Sequence, residues 1–340
     1  MNANANEKLA KQVLVDKGPK TAKEFLAQIN KKHGENALID CSANVVSTVP
    51  KVSSGLPSLD LVMGGGIPEG RIMEIYGLES SGKSTLAIQM MVQMQKAYPD
   101  KYIAYIDVEH SFDMEYAVKL GLNKDKLFSS QPDNGEEALD IVEKACESGI
   151  VCGIVVDSVA TLIPSAAANK EIDGTANIGT TARLMSQCLP RLVKACSKAG
   201  ASLIFINQIR MKIGQMYGNP ETTPGGLALQ FNASIRLEVR AKAPEERNGK
   251  EGHPVTVKVV KNKVGNPKGK TELFIVYGEG FDPVNDLLET AQQLDLVIRK
   301  GPYYEYDGIK ALGWDLFMAE IKKDPVKMQN LYDIIINSSK

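Results

Sequence analysis

The chain has 340 residues, 43% hydrophobic and 24% charged, enough for one large domain with smaller additions or for two domains. Its formal charge of −1 excludes a polybasic protein, so any nucleic-acid partner has to be argued from individual sites. No apolar run approaches the roughly eighteen residues that span a bilayer, the N-terminus lacks a signal peptide's apolar core, and the five cysteines form no CxxC pair. A zinc site and a disulfide framework are therefore not expected; buried free thiols in a reducing cytoplasm are.

Residues 1–20 read as a loose polar tail. Residues 21–33 set Ala22, Phe25, Leu26 and Ile29 on one face of a short amphipathic helix that Gly34 ends, and a linker follows to about Val52. From residue 53 strands and helices alternate. Arg71–Tyr76, Tyr102–Asp107, Gly153–Asp157 and Ala201–Asn207 are mostly continuous apolar runs, as parallel strands buried on both faces require. Helices at about 83–97, 136–148 and 180–199 lie between them, the pattern of a wound α/β sheet. Pro190 inside the last of these predicts a kink near Ser186. Ala233–Arg240, Val255–Lys263 and Glu272–Tyr277 then read as an antiparallel extension, and 281–340 as a small helix-rich C-terminal domain around YYEYDG. The domain reading is thus a tail, helix and linker over 1–52, a core over 53–280 and a C-terminal domain over 281–340. Segments 164–179 and 208–226 interrupt the core as long loops of the kind that carry function.

Gly77-Leu78-Glu79-Ser80-Ser81-Gly82-Lys83-Ser84 fits G-x-x-x-x-G-K-[ST] between a strand and a helix. Such a turn aims backbone N–H groups and the positive end of a helix dipole at phosphate. Lys83 is placed to reach the β- and γ-phosphates, with the Ser84 hydroxyl on Mg²⁺. Asp157 closes the strand GIVVD, where a second carboxylate orients the Mg²⁺ shell. Glu109, leaving the strand YIAYID at the same edge, is the candidate general base for an attacking water; a solvated loop acid is the plain alternative. Asn207-Gln208 closes SLIFIN and opens the second long loop, so an amide there either registers a γ-phosphate or is simply a polar strand end.

The blocks SGLPSLDLVMGGGIPEGRIMEIYGLESSGKST, IDVEHSFD, IVVDSVATLIP, ARLMSQ, FINQIRMKIGQMYGNPETTPGG, VVKNK and YGEG resemble the bacterial RecA recombinase family over roughly residues 21–335. The resemblance implies an α/β fold: a RecA-type P-loop ATPase core with a mainly parallel twisted sheet, an antiparallel extension, an N-terminal polymerisation helix and a small α+β C-terminal domain. It implies an ATP- and Mg²⁺-dependent recombinase that forms helical filaments on single-stranded DNA and exchanges strands with a homologous duplex. By match, Lys83, Ser84, Thr85, Glu109, Asp157 and Gln208 take the phosphate, metal, base and sensor roles. Asp113 and Tyr116 match the adenine side, and Tyr277 of YGEG is grouped with them. Segments 164–179 and 208–226 match the two DNA-binding loops; Arg210, Met211, Lys212, Gly225 and Gly226 of the second, with Arg183, Ser186 and Arg191 in the helix after the first, are the DNA candidates.

Lys261 and Lys263 match lysines that reach the neighbouring subunit's ATP; an extended strand would project both to one face with Val257 and Val259. An edge strand guarded by lysines is the alternative. Pro190, Pro224 and Leu227 depart from the family pattern around the DNA loops. With few cations per subunit, binding would rest on backbone N–H groups and on additivity along a polymer. A ring-forming helicase-type motor and a nucleotide-dependent scaffold without strand exchange are the competing readings.

Overall fold

A computed structural model of the chain describes residues 21–35, 37–40, 49–168, 179–211, 220–247 and 249–338. The chain divides into two units, Met1–Thr48 and Val49–Lys340. In the first, helix α1 (Ala22–His33) starts at Thr21, whose hydroxyl accepts from the Glu24 N–H, and stops at Gly34; none of its residues is buried. Phe25, in the middle of the apolar face read from the sequence, is 45% exposed.

The second unit opens with β1 (Lys51–Val52), α2 (Pro57–Met63) and β2 (Ile67–Pro68), β1 pairing with β2. The core then runs β3 (Ile72–Gly77), α3 (Lys83–Ala97), β4 (Tyr102–Asp107), α4 (Met114–Lys119), β5 (Leu127–Ser130), α5 (Gly135–Glu147) and β6 (Val151–Asp157). The short α6 (Ser165–Ala168), long α7 (Thr180–Ala199) and β7 (Ser202–Gln208) follow, then the pair β8 (Arg210–Met211) and β9 (Glu221–Thr222). Next come α8 (Gly226–Asn232), β10 (Ile235–Ala241), β11 (Glu245–Arg247), β12 (Lys250–Asn262), β13 (Gly269–Val276) and β14 (Gly280–Phe281). The C-terminal part holds α9 (Pro283–Gln293), the meander β15 (Ile298–Lys300), β16 (Tyr303–Tyr306) and β17 (Ile309–Leu312), and helices α10 (Trp314–Ile321) and α11 (Pro325–Asn337).

The main sheet has the order β14-β13-β12-β10-β3-β7-β6-β4-β5, with β11 beside β12. It is parallel from β10 to β5 and antiparallel from β10 to β14. Successive residues of each central strand enter opposite cores, which explains the continuous apolar runs. Met73, Ile103, Tyr105, Val155 and Ile204 meet Leu86, Met90 and Met94 of α3 on one face. Ile72, Ala104, Ile106, Ile154 and Phe205 meet Leu139 and Val142 of α5 and Leu189 and Leu192 of α7 on the other. A third cluster joins Leu287, Phe317, Ile321, Leu331 and Ile335 of the C-terminal helices. The fully buried Asp60 of α2 ties this cluster down, accepting from Tyr332 at 2.8 Å and from the Ser54 N–H at 2.8 Å.

Three features differ from the sequence reading. β10, expected in an antiparallel extension, pairs parallel with β3 and antiparallel with β12, and so joins the two parts of the sheet. β5 adds a strand with no sequence signal, because its four residues LFSS are too short and too exposed to show a burial pattern. Val52, assigned to the linker, is buried in β1. As expected, α7 runs from Thr180 to Ala199 with Pro190 inside it, on the exposed side of the helix. The tail 1–20, most of segment 164–179 and most of segment 208–226 lie outside the described residues.

A buried ion pair crosses the sheet. Glu74 of β3 is wholly buried, bonded by Arg236 Nε of β10 at 2.5 Å and by Asn207 Nδ2 of β7 at 2.9 Å. Glu74→Ala leaves an uncompensated guanidinium in a site that is almost dry, so it should cost about 3–5 kcal/mol of stability. Urea unfolding measures this; a loss under 1 kcal/mol would show that the pair is not structural.

Candidate nucleotide site

Parallel register sets the site. Gly77 pairs with Gln208, Tyr76 with Asn207 and Asp107 with Asp157, so four strands deliver their C-terminal residues to one sheet edge. Ligands of open α/β sheets bind at this edge. The turn 77–82 feeds directly into α3. Gly82 caps α3 in the left-handed region at φ 89°, and a Cβ there would meet Ile275 Cδ1 at 2.3 Å, so the turn needs glycine at this point.

The loop is braced from inside. Ser81 Oγ and Lys83 Nζ both donate to the Leu78 carbonyl, at 2.8 and 2.5 Å. Burial pulls the Lys83 ammonium below the ordinary lysine range, against the opposing charges of Asp157 and Glu109. Ser84 Oγ donates to Asp157 Oδ2 at 2.8 Å, and the same oxygen accepts from Tyr105 at 2.7 Å. Burial pushes the Asp157 carboxyl up, and the hydrogen bonds from Tyr105 and Ser84 oppose that.

Glu109 arrives from the turn after β4, where its N–H and that of Val108 donate to the Asp157 carbonyl at 3.2 and 2.8 Å. Its Oε1 accepts from Gln208 Nε2 at 3.0 Å and from the Ser158 hydroxyl. The base and sensor candidates therefore touch each other. Asp107, fully buried, receives the Ser111 and Phe112 N–H groups and Gln131 Nε2, holding the turn that carries Glu109.

A cleft of about 370 Å³ opens over the turn, lined by Lys83, Ser84, Thr85, Tyr116, Ile275 and Tyr277 among others. Tyr116 OH lies 3.4 Å from Thr85 Oγ1, and Tyr277 is half exposed. Asp113 does not line this cleft; its Oδ1 caps α4 by accepting from Tyr116 N at 2.9 Å. Among the described residues no cluster of three or more His, Cys, Asp or Glu side chains could hold a metal ion by itself. The Ser84–Asp157 pair beside a phosphate-binding turn instead suits a hard cation that draws its remaining oxygens from phosphate and water. The roles of Tyr105, Ser158 and Gln131 were not legible in the sequence. Each is a polar side chain on a run whose spacing signals only strand or loop.

Lys261 and Lys263 lie away from this cleft. A register slip between Arg236 and Leu237 pairs Lys261 with Arg236 and Val259 with Leu237, leaving Val260 as a bulge. The bulge moves Lys261 off the buried face of Val257 and Val259, correcting the expectation that all four share one face. Lys261 Nζ donates to the Gln230 and Phe231 carbonyls at 2.5 and 2.9 Å, and Lys263 Nζ to Phe231 O at 2.8 Å. Both ammonium groups thus sit on the C-terminal end of α8, where the helix dipole is negative. Burial and the neighbouring Lys263 bring the Lys261 amine down to about 8.

α8 also carries the end of the second long loop. Gly225 and Gly226 begin it, and a Cβ on Gly226, at φ 71°, would meet Ala182 Cβ of α7 at 2.8 Å. The ends of segments 164–179 and 208–226 are therefore packed together. Asn207 ties this junction to the sheet by donating to the Pro224 carbonyl at 3.0 Å. Arg183, Arg210 and Met211 are exposed, whereas Arg191 is paired with Glu143 of α5. Ser186 Oγ donates to the Ala182 carbonyl, and Lys212 lies outside the described residues. No described helix is long and apolar enough to cross a membrane.

Comparison with known proteins points to one family. The family model "RecA N-terminal domain" matches residues 20–282. The chain is similar to Protein RecA of Deinococcus radiodurans, 43% identical over 340 residues, covering 99% of this chain and 93% of that protein. It is similar to Protein RecA of Gloeobacter violaceus at 46% over 296 residues, 86% of this chain and 79% of that one. With Protein RecA of Porphyromonas gingivalis identity is 47% over 286 residues, 83% of each chain. With the phosphate turn, the paired Glu109 and Gln208 and this extent of identity together, the chain belongs to the RecA family.

Proposed function

We propose that the chain, a DNA-dependent ATPase recombinase of recombination and repair, hydrolyses Mg²⁺-ATP at an interface between adjacent subunits of a filament on single-stranded DNA. The observation that carries this is the contact of Glu109 with Gln208 at the rim of the phosphate turn, because it joins the hydrolytic base to the first residue of segment 208–226. In the complex, the Lys83 ammonium exchanges the Leu78 carbonyl for β- and γ-phosphate oxygens, and the N-terminus of α3 adds its backbone donors. Mg²⁺ neutralises charge on the transferred phosphoryl group when bound; Ser84 and Asp157 would hold it. Glu109 takes the proton of the attacking water. Gln208 leaves Glu109 for the γ-phosphate and so pulls on the segment that meets DNA. Tyr116 and Tyr277 flank the adenine, with Asp113 accepting from its exocyclic amine.

DNA is held by Arg183, Arg210, Met211, Lys212 and the backbone at Gly225 and Gly226, with Ser186 and Arg191 further along α7. These contacts read the backbone and leave base edges free to test pairing with a homologous duplex. The apolar face of α1 docks on a neighbouring subunit. The edge strand β5 offers a surface of the matching kind, with Phe128 and Ile150 exposed over an apolar cleft. Lys261 and Lys263 serve the neighbour's ATP, supplying cations in trans to the charge that develops on the equatorial oxygens. Such cations raise rates by about 10³–10⁵-fold in other phosphoryl-transfer systems. A cytoplasmic location follows from this role.

Glu109→Gln should keep nucleotide binding and slow turnover roughly 10²–10⁴-fold, the usual worth of general-base help. A single-turnover assay on DNA reads it, and a rate within a few-fold of the wild type would remove Glu109 from the chemistry. A mixing experiment tests the trans lysines. Lys261→Ala and Glu109→Gln subunits, each inactive alone, should regain part of the DNA-stimulated hydrolysis when combined, because some interfaces then pair an intact Glu109 with an intact Lys261. Activity no greater than the sum of the two variants would rule out the shared site.

A further inference from the structure

Two thiols that the ATPase chemistry does not use face each other between helices. Cys146, near the end of α5, and Cys196, near the end of α7, are both wholly buried in the second core cluster, with their sulfurs 3.5 Å apart in a thiol–thiol hydrogen bond. The other described cysteines have no such partner. Cys152 Sγ points at the Met94 and Tyr102 carbonyls, and Cys188 is half-buried on another side of α7. Cys146 also borders a cleft of about 670 Å³ between the two helices, lined by Glu143, Glu147, Arg191, Lys194 and Lys198. The Arg191–Glu143 ion pair bridges α7 and α5 beside it. Cys146 is therefore buried but stands against a cleft with charged walls, unlike Cys152 inside the other core.

We infer that Cys146 and Cys196 form a dithiol modification site, oxidised by small hydroperoxides to an intramolecular disulfide that staples α5 to α7. The Cys146 sulfur attacks the peroxide, breaking the O–O bond, and becomes a sulfenic acid while water leaves from hydrogen peroxide, or an alcohol from an organic hydroperoxide. Cys196 sulfur then attacks the Cys146 sulfur, forming the S–S bond and releasing water. Overall two thiols lose two electrons and two protons, and one hydroperoxide is reduced. The order is set by access: Cys146 borders the cleft between the helices, whereas Cys196 does not line it, and the hydrogen bond to Cys146 together with burial holds the Cys196 thiol up. Bond formation closes the 3.5 Å between the sulfurs to about 2.05 Å, between two helices already in contact. α7 begins directly after segment 164–179, so the staple restrains the helix that anchors one of the two long loops.

The test treats the full chain with hydrogen peroxide, then denatures it and counts thiols. The five thiols should fall to three, with the protein about 2 Da lighter, the mass of two hydrogens. Proteolysis without reductant should yield one crosslinked peptide pair joining Cys146 to Cys196, and a dithiol reductant should restore five thiols. In Cys196→Ala, a dimedone adduct should appear on Cys146, identifying the attacking sulfur. Five persistent thiols at peroxide doses that already oxidise methionines would overturn the proposal. So would oxygen adducts without a crosslink, or a crosslink joining other cysteines. The wild-type peptide map decides even if a variant fails to fold.

Discussion

One buried carboxylate oxygen organises the nucleotide edge of this protein. Asp157 Oδ2 accepts from Ser84 and Tyr105, and the backbone carbonyl of the same residue accepts from Val108 and Glu109. Through these four bonds, β6 fixes the hydroxyl that follows the phosphate turn and the loop that carries the base. An ionised carboxylate in so dry a place is expensive unless it is hydrogen-bonded or faces a cation, and burial raises its affinity for a proton. The arrangement thus favours arrival of a positive charge beside Ser84, the role that a magnesium ion fills in the proposed complex.

From that edge, two mechanical links run outward. Glu109 reaches Gln208, and Asn207 reaches Glu74 and the Pro224 carbonyl, so β7 carries both the sensor amide and the anchor of the second loop. The loop ends in α8, whose far end holds Lys261 and Lys263 by their ammonium groups. A displacement of segment 208–226 therefore has a short path to the lysines, through one helix of seven residues. This is the physical content of coupling between DNA and ATP in the proposed filament: one element that both sites bias.

Much of this was legible in the sequence, for identifiable reasons. The apolar runs of β3, β4, β6 and β7 lie between two cores, and such runs cannot be mistaken for surface strands. The phosphate turn announces itself because glycine and lysine stand at fixed offsets between strand and helix. Register, by contrast, could not be counted from spacing alone. The bulge at Val260 reverses which way Lys261 faces, and nothing in VTVKVVKNK signals it. Tyr105 reads as one more apolar strand residue until its hydroxyl is seen on Asp157. The cysteines looked unrelated because Cys146 and Cys196 lie on separate helices and meet only through the packing of α5 on α7.

In the proposed filament, the ATP site is completed by a second copy of the chain. This is tested most directly by an electron cryomicroscopy structure of the protein on single-stranded DNA with a slowly hydrolysed ATP analogue. The expected result is an open helical filament with nucleotide between subunits, Lys83, Ser84 and Glu109 of one copy facing its γ-phosphate and Lys261 and Lys263 of the next copy reaching it from the other side. A closed ring, or a nucleotide enclosed by one subunit with both lysines still on the end of α8, would contradict it.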